Sequence, residues 1–153
     1  MKATEFILQL GANFNAATNN GNTPLIEASA GGYISVVNKL IERGARVDAS
    51  QKDGRNAAYV AIQNGHLDVL KLLMQNHPNF YSLKGYKGQT PLIAAAEKGQ
   101  LKIVEYLTSI SNTSIYTHDD YGQTPMIAAA RNGHPEIAEY LLSIQWNITL
   151  PKG

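Results

Sequence analysis

A chain that matches itself at a fixed interval must fold as an array of like units, because each segment has only its neighbours against which to bury its apolar side. Four segments align here without internal gaps: GNTPLIEASAGGYISVVNKLIERGARVDAS from Gly21, GRNAAYVAIQNGHLDVLKLLMQNHPNF from Gly54, GQTPLIAAAEKGQLKIVEYLTSISNTS from Gly88 and GQTPMIAAARNGHPEIAEYLLSIQWNIT from Gly122. Their leading glycines lie 33, 34 and 34 residues apart. Before them FILQLGANFNAATNNG matches the second half of the same unit, so the sequence opens partway through a repeat.

Each unit reads as two antiparallel helices and an extended turn. The first helix is expected to start at Thr23-Pro24, Thr90-Pro91 and Thr124-Pro125, where Thr caps exposed N–H groups and Pro at the first helical position gives up no needed donor. In the second unit Asn56-Ala57 keeps the cap and loses the rigid ring. Ala94-Ala95-Ala96 and Ala128-Ala129-Ala130 join high helix propensity to small volume, so neighbouring backbones can approach closely. Gly32, Gly65, Gly99 and Gly133 are expected to end that helix with positive φ. A second, amphipathic helix follows in each unit, with stripes Val36, Val37, Leu40, Ile41; Val69, Leu70, Leu73, Met74; Ile103, Val104, Leu107; and Ile137, Leu141, Leu142.

These features resemble the ankyrin repeat family. GNTPLIEAS, GQTPLIAAA and GQTPMIAAA match its first helix, Gly65-His66 and Gly133-His134 its inner turn, and Gly11-Ala12 and Gly44-Ala45 its turn into a hairpin. The resemblance implies an all-α fold: an ankyrin-repeat solenoid of stacked antiparallel helix pairs joined by β-hairpin-like loops. One domain over 1–153 is expected, with a partial repeat at 1–18 and full repeats at 19–51, 52–85, 86–119 and 120–153. The sequence departs from the family where a His usually follows T-P-L: Ile26, Tyr59, Ile93 and Ile127 stand there, and an apolar column between repeats is expected instead. Gly-Ala also gives way to His77-Pro78, Ser111-Asn112 and Gln145-Trp146, so those hairpins are expected to differ in shape. Trp146 is expected to pack on the end of the stack.

Composition narrows the chemistry. Thirteen Lys and Arg against 12 Asp and Glu give a net charge of +1, which provides no field for gathering phosphate backbones or anionic lipids. With no cysteine, disulfides, thiolate zinc sites and cysteine nucleophiles are excluded together. The opening MKATEFILQLGANF reads as neither a signal peptide nor a membrane span, and Asn112-Thr113-Ser114 and Asn147-Ile148-Thr149 read as chance glycosylation triplets.

No spacing assembles a catalyst. His66 and His134 recur at equivalent turn positions and read as parts of the turn, while His77 and His118 read as exposed loop residues without metal-ligand neighbours. Asp53 and Asp119-Asp120 precede glycines, where turn chemistry favours Asp. No phosphate-cradling glycine motif occurs, so no cofactor and no metal are expected. Lys84, Tyr86 and Lys87 interleave base and aromatic, but in a balanced chain they read as a solvated hairpin surface rather than a nucleic-acid site.

In the family that this chain resembles, partners sit in a concave groove lined by hairpin tips and the exposed side of the first helices. Carried over by register, that groove would comprise Asn20, Asn22, Lys52, Asp53, Arg55, Gln63 and Asn64, then Tyr86, Lys87, Gln89, Glu97 and Lys98, then Asp120, Tyr121, Gln123, Arg131 and Asn132. Tyr86, Tyr121, Arg55 and Arg131 are the candidate anchors, since Tyr and Arg dominate interface energetics. The expected function is a non-catalytic protein–protein interaction module, monomeric and cytoplasmic, binding another protein and neither nucleic acid nor membrane. The alternative is a targeting or regulatory fragment of a larger enzyme or of a bacterial effector delivered into a host cell.

Overall fold

The computed structural model describes residues 13–77 and 84–149. The chain divides into two compact units, Met1–Phe80 and Tyr81–Gly153. The first contains α1 (Pro24–Gly31), α2 (Ile34–Glu42), α3 (Ala57–Gln63) and α4 (Leu67–Gln75). The second contains α5 (Pro91–Glu97), α6 (Leu101–Ile110), α7 (Pro125–Arg131) and α8 (Pro135–Thr149). The architecture is all-α: among the described residues extended pairing is limited to one isolated bridge, Ser50 with Asn56. Residues 1–12, which carry Gly11-Ala12 and most of the opening partial repeat, and Pro78 of the His77-Pro78 hairpin lie outside the described residues.

The odd-numbered helices start as their sequences dictate. Thr23 Oγ1 accepts from Ile26 N at 3.2 Å, Asn56 Oδ1 from Tyr59 N at 2.8 Å, Thr90 Oγ1 from Ile93 N at 3.4 Å and Thr124 Oγ1 from Ile127 N at 3.3 Å. At the other end Gly32, Gly65, Gly99 and Gly133 hold φ between +74° and +76°. The asparagine cap has the shortest of these bonds and is buried, so Asn56→Ala should cost about 1–2 kcal/mol, while Asn56→Thr should retain more than half of the contribution. Urea unfolding of the two variants measures both.

Helix ends at these glycines close through the backbone. Tyr33 N donates to Ala28 O at 3.0 Å, His66 N to Ala61 O at 2.8 Å, Gln100 N to Ala95 O at 3.0 Å and His134 N to Ala129 O at 2.9 Å. Tyr, Gln and His thus make the same bond, and the turn does not need an imidazole. The histidine rings do something else, reaching back to the preceding repeat. His66 Nε2 lies 3.1 Å from Ala30 O, and His134 Nε2 lies 3.0 Å from Glu97 O.

Within the first unit α1 packs on α3 and α2 on α4; within the second α5 packs on α7 and α6 on α8. The packing faces are the stripes read from the sequence: Val36, Val37 and Leu40 on α2, Val69, Leu70, Leu73 and Met74 on α4, Ile103, Val104 and Leu107 on α6, and Ile137 and Leu141 on α8 are all buried. Ala94, Ala95, Ala96, Ala128 and Ala129 are buried as well, their small side chains letting α5 and α7 lie close. Between α6 and α8 the Thr108 and Tyr140 hydroxyls meet at 2.9 Å.

Three expectations fail in the last repeat. Ile26, Tyr59 and Ile93 are buried, but Ile127 at the same register is 45% exposed, and Leu142 of the α8 stripe is 54% exposed. Trp146, expected on the end of the stack, is 62% exposed. Gln145-Trp146 forms no hairpin but lies inside α8, which runs on to Thr149 because no glycine interrupts it. All three apolar sites lie on exposed sides of α7 and α8. Ser111-Asn112 does differ in shape from Gly44-Ala45, leading into a 3₁₀ turn at Asn112–Tyr116 that buries Ile115. His118 is exposed as expected, whereas His77 is half-buried.

Candidate functional site

The four hairpin tips share one backbone. In each, the N–H of the first residue donates to the carbonyl of the fifth: Thr18 to Asn22 at 3.0 Å, Gln51 to Arg55 at 2.8 Å, Gly85 to Gln89 at 2.9 Å and Asp119 to Gln123 at 3.0 Å. The glycine N–H returns to the first carbonyl: Gly21 to Thr18, Gly54 to Gln51, Gly88 to Gly85 and Gly122 to Asp119, at 2.8–3.1 Å. The side chains on this frame are unlike, so the scaffold fixes positions and leaves chemistry open. Successive tips are tied by one further bond in each unit, Lys52 N to Asn20 O at 2.9 Å and Asp120 N to Lys87 O at 3.1 Å.

In the first unit the tips bring together Asn20, Asn22, Lys52, Asp53 and Arg55. Asn20, Lys52 and Asp53 are exposed, while Asn22 and Arg55 are half-buried. Arg55 pairs with Asp53 at 3.0 Å, and the Asp53 carboxylate also accepts from Arg55 N at 3.1 Å, the turn role expected of that Asp. Asn22 donates to Glu27 and accepts from Gln51 at 3.1 Å. Gln63 and Asn64 are exposed at the end of α3, where the Asn64 amide is turned back onto Val60 O at 2.8 Å.

In the second unit the tip residues are held more tightly. Asp119 is buried; its carboxylate accepts from Tyr121 N at 2.8 Å, Gln123 N at 2.9 Å and Gln123 Nε2 at 3.1 Å. Tyr121 projects from this clamp with 71% of its surface exposed. On the neighbouring tip Tyr86 is half-buried, and the Lys87 ammonium sits 5.0 Å above its ring. Lys87 has φ +56°, alone among the described residues other than glycine in lying in the left-handed region. Asp120, Arg131 and Asn132 are exposed, with Asn132 folded onto Ala128 O at 2.8 Å as Asn64 is in the first unit. Glu97 and Lys98 are half-buried and pair at 3.6 Å.

Gln89 is not at the surface. It is 3% exposed and its amide donates to Glu97, so the side chain braces the tip against the end of α5 instead of facing solvent. Asp119 is the residue whose weight the sequence understated: read as one turn-former among several, it is the clamp that fixes Tyr121 and Gln123. The signal was a carboxylate two residues before an aromatic and three before a glycine.

No group of three His, Cys, Asp or Glu side chains able to hold a metal occurs among the described residues, and none of their helices is long and apolar enough to cross a membrane.

Comparison with known proteins agrees with this geometry. A family model described as ankyrin repeats (3 copies) matches residues 2–84 and 75–150. Protein fem-1 homolog A-like of Mus musculus is 35% identical over 96 residues, covering 63% of this chain and 14% of that protein. Ankyrin repeat and KH domain-containing protein mask-1 of Caenorhabditis elegans is 31% identical over 116 residues, covering 73% of this chain and 4% of that protein. Rabankyrin-5 of Mus musculus is 39% identical over 77 residues, covering 50% of this chain and 6% of that protein. The chain therefore spans 4–14% of the length of these relatives.

Proposed function

Because this chain belongs to the ankyrin repeat family, whose arrays generally bind other proteins, we propose that it is a non-catalytic module holding a partner protein on its hairpin tips and first-helix ends. The observation that carries the reading is Tyr121: an aromatic 71% exposed on a loop clamped by Asp119. A side chain presented on a pinned backbone loses little conformational freedom when a partner covers it, and tyrosine supplies a large amphipathic surface with few rotatable bonds. Lys87 beside it supports the same reading, since a left-handed non-glycine residue is a strained conformation of the kind that clusters at ligand-contacting loops.

Tyr121 and Arg131 are the primary anchors on this reading, both exposed; Tyr86 and Arg55, half-buried and partnered within their tips, add shape and fixed charge. The same proposal makes the protein monomeric and cytoplasmic, a chain without cysteine needing no oxidising compartment to fold.

The test is a pull-down with the intact array, followed by titration of the captured partner against Tyr86→Ala/Tyr121→Ala and Tyr121→Ala/Arg131→Ala. Loss of two anchors should weaken binding about 30-fold or more. Circular dichroism and urea unfolding confirm that each variant is folded. Unchanged affinity in both folded variants would move the site off these tips.

A further inference from the structure

Three asparagines precede a glycine, Asn20, Asn64 and Asn132, and the fold holds them differently. An Asn-Gly pair can react with itself, because glycine has no side chain to shield its nitrogen from the neighbouring amide carbon. The ring closes only when the asparagine ψ leaves the helical range and its side chain swings toward the glycine nitrogen. Asn64 and Asn132 are fixed in the opposite arrangement, with ψ 4° and 11°. Their Nδ2 groups donate back to Val60 O and Ala128 O, each at 2.8 Å. Turning either peptide would also pull His66 N from Ala61 O or His134 N from Ala129 O, and with them the imidazole links to Ala30 O and Glu97 O.

Asn20 stands on the first hairpin tip, exposed like Thr18 and Asn19 beside it. No described residue binds its side-chain amide, and backbone alone holds it: Gly21 N donates to Thr18 O at 2.8 Å and Lys52 N to Asn20 O at 2.9 Å. A segment secured by exposed backbone bonds, with no buried side chain of its own, opens at low cost. Asp53-Gly54 on the next tip is the acidic counterpart, but its carboxylate is a poor electrophile and is held by Arg55 Nε at 3.0 Å and Arg55 N at 3.1 Å.

We propose that Asn20-Gly21 is a self-modification site, at which the folded chain converts Asn20 into aspartate and isoaspartate while Asn64 and Asn132 are protected. The Gly21 nitrogen gives its proton to water and bonds to Asn20 Cγ; the Cγ–Nδ2 bond breaks, and Nδ2 takes a proton from water and leaves as ammonia. Water then opens the resulting succinimide at either carbonyl, to aspartate or to isoaspartate. Both products put a carboxylate on the tip and remove the chain's net charge of +1. Isoaspartate also routes the main chain through Cβ. The carbonyl that accepts from Lys52 N then leaves the backbone, and the tie between the first two tips is cut.

The test incubates the full chain in mildly alkaline buffer, folded and in denaturing urea, and follows amide-to-acid conversion at each Asn-Gly pair by peptide mass. Isoaspartate is counted by methyl transfer from S-adenosylmethionine with an isoaspartyl-specific methyltransferase. In the folded chain Asn20 should convert at least about fivefold faster than Asn64 or Asn132, the factor that one net hydrogen bond corresponds to. In urea the three rates should converge. Asn19 and Asn22 lie close enough to share a peptide with Asn20, so Asn20→Ser should abolish the folded-state signal from that peptide. Three results overturn the proposal: equal rates in the folded chain, a preference for Asn20 that persists in urea, or conversion that survives Asn20→Ser.

Discussion

Replacing Ile93 with histidine is expected to lower stability by about 3 kcal/mol, whereas the same change at Ile127 should stay within about 0.5 kcal/mol. The two isoleucines follow the same T-P-hydrophobic start and hold the same place in their helices. Ile93 is fully buried, so histidine there gives up most of a large side chain's apolar burial and must also leave water with its ring nitrogens. Ile127 is already 45% exposed, and an imidazole in its place stays hydrated. Urea midpoints of the two variants against the parent decide the matter. If Ile93→His were neutral or stabilising, the buried Ile93 side chain would not be contributing what its burial implies, and a polar side chain would serve equally well at that register.

The second large effect concerns the histidines. Gly99→Ala should cost about 2–3 kcal/mol and Gly133→Ala about 1 kcal/mol, although the two glycines have nearly the same backbone, φ +74° and +76°. Both variants pay for a side chain in the left-handed region. Only at Gly99 does the new methyl also meet the His134 ring, at 2.6 Å, and displacing that ring breaks its 3.0 Å bond to Glu97 O. On a His134→Ala background the excess should vanish, leaving Gly99→Ala near the Gly133→Ala value. An excess that persisted without the imidazole would mean that the histidine does not link the repeats through this contact.

These two comparisons mark how far the sequence could be read. A constant interval, Thr or Asn three residues before the capped N–H, glycine after each first helix and apolar residues at helical spacing all act within one repeat. The caps at Thr23, Asn56, Thr90 and Thr124 and the left-handed glycines are accordingly where local chemistry puts them. The Gly-His turns were legible as turns and not as links, because the acceptors, Ala30 and Glu97, lie 36 and 37 residues away.

The candidate binding surface was legible by register alone: tip and helix-end positions repeat with the interval, and most are exposed. Which side chains stay free of the scaffold was not. Gln89 and Gln123 both follow a tip glycine in the same G-Q-T-P wording, yet Gln89 is drawn inward to Glu97 while Gln123 is held by Asp119. The opening partial repeat, at residues 1–12, and the end of the His77-Pro78 hairpin fall outside the described residues.

By itself the sequence determined the repeat interval, the helix starts and stops and the inward-facing stripes, since each depends on hydrogen bonds and spacing inside a few consecutive residues. Tertiary structure alone decided that Ile127, Leu142 and Trp146 face outward, that two histidines tie adjacent repeats together and that Asp119 holds Tyr121 out to solvent. Identical local wording meets different neighbours at different places in a stack, and burial is a property of the neighbour.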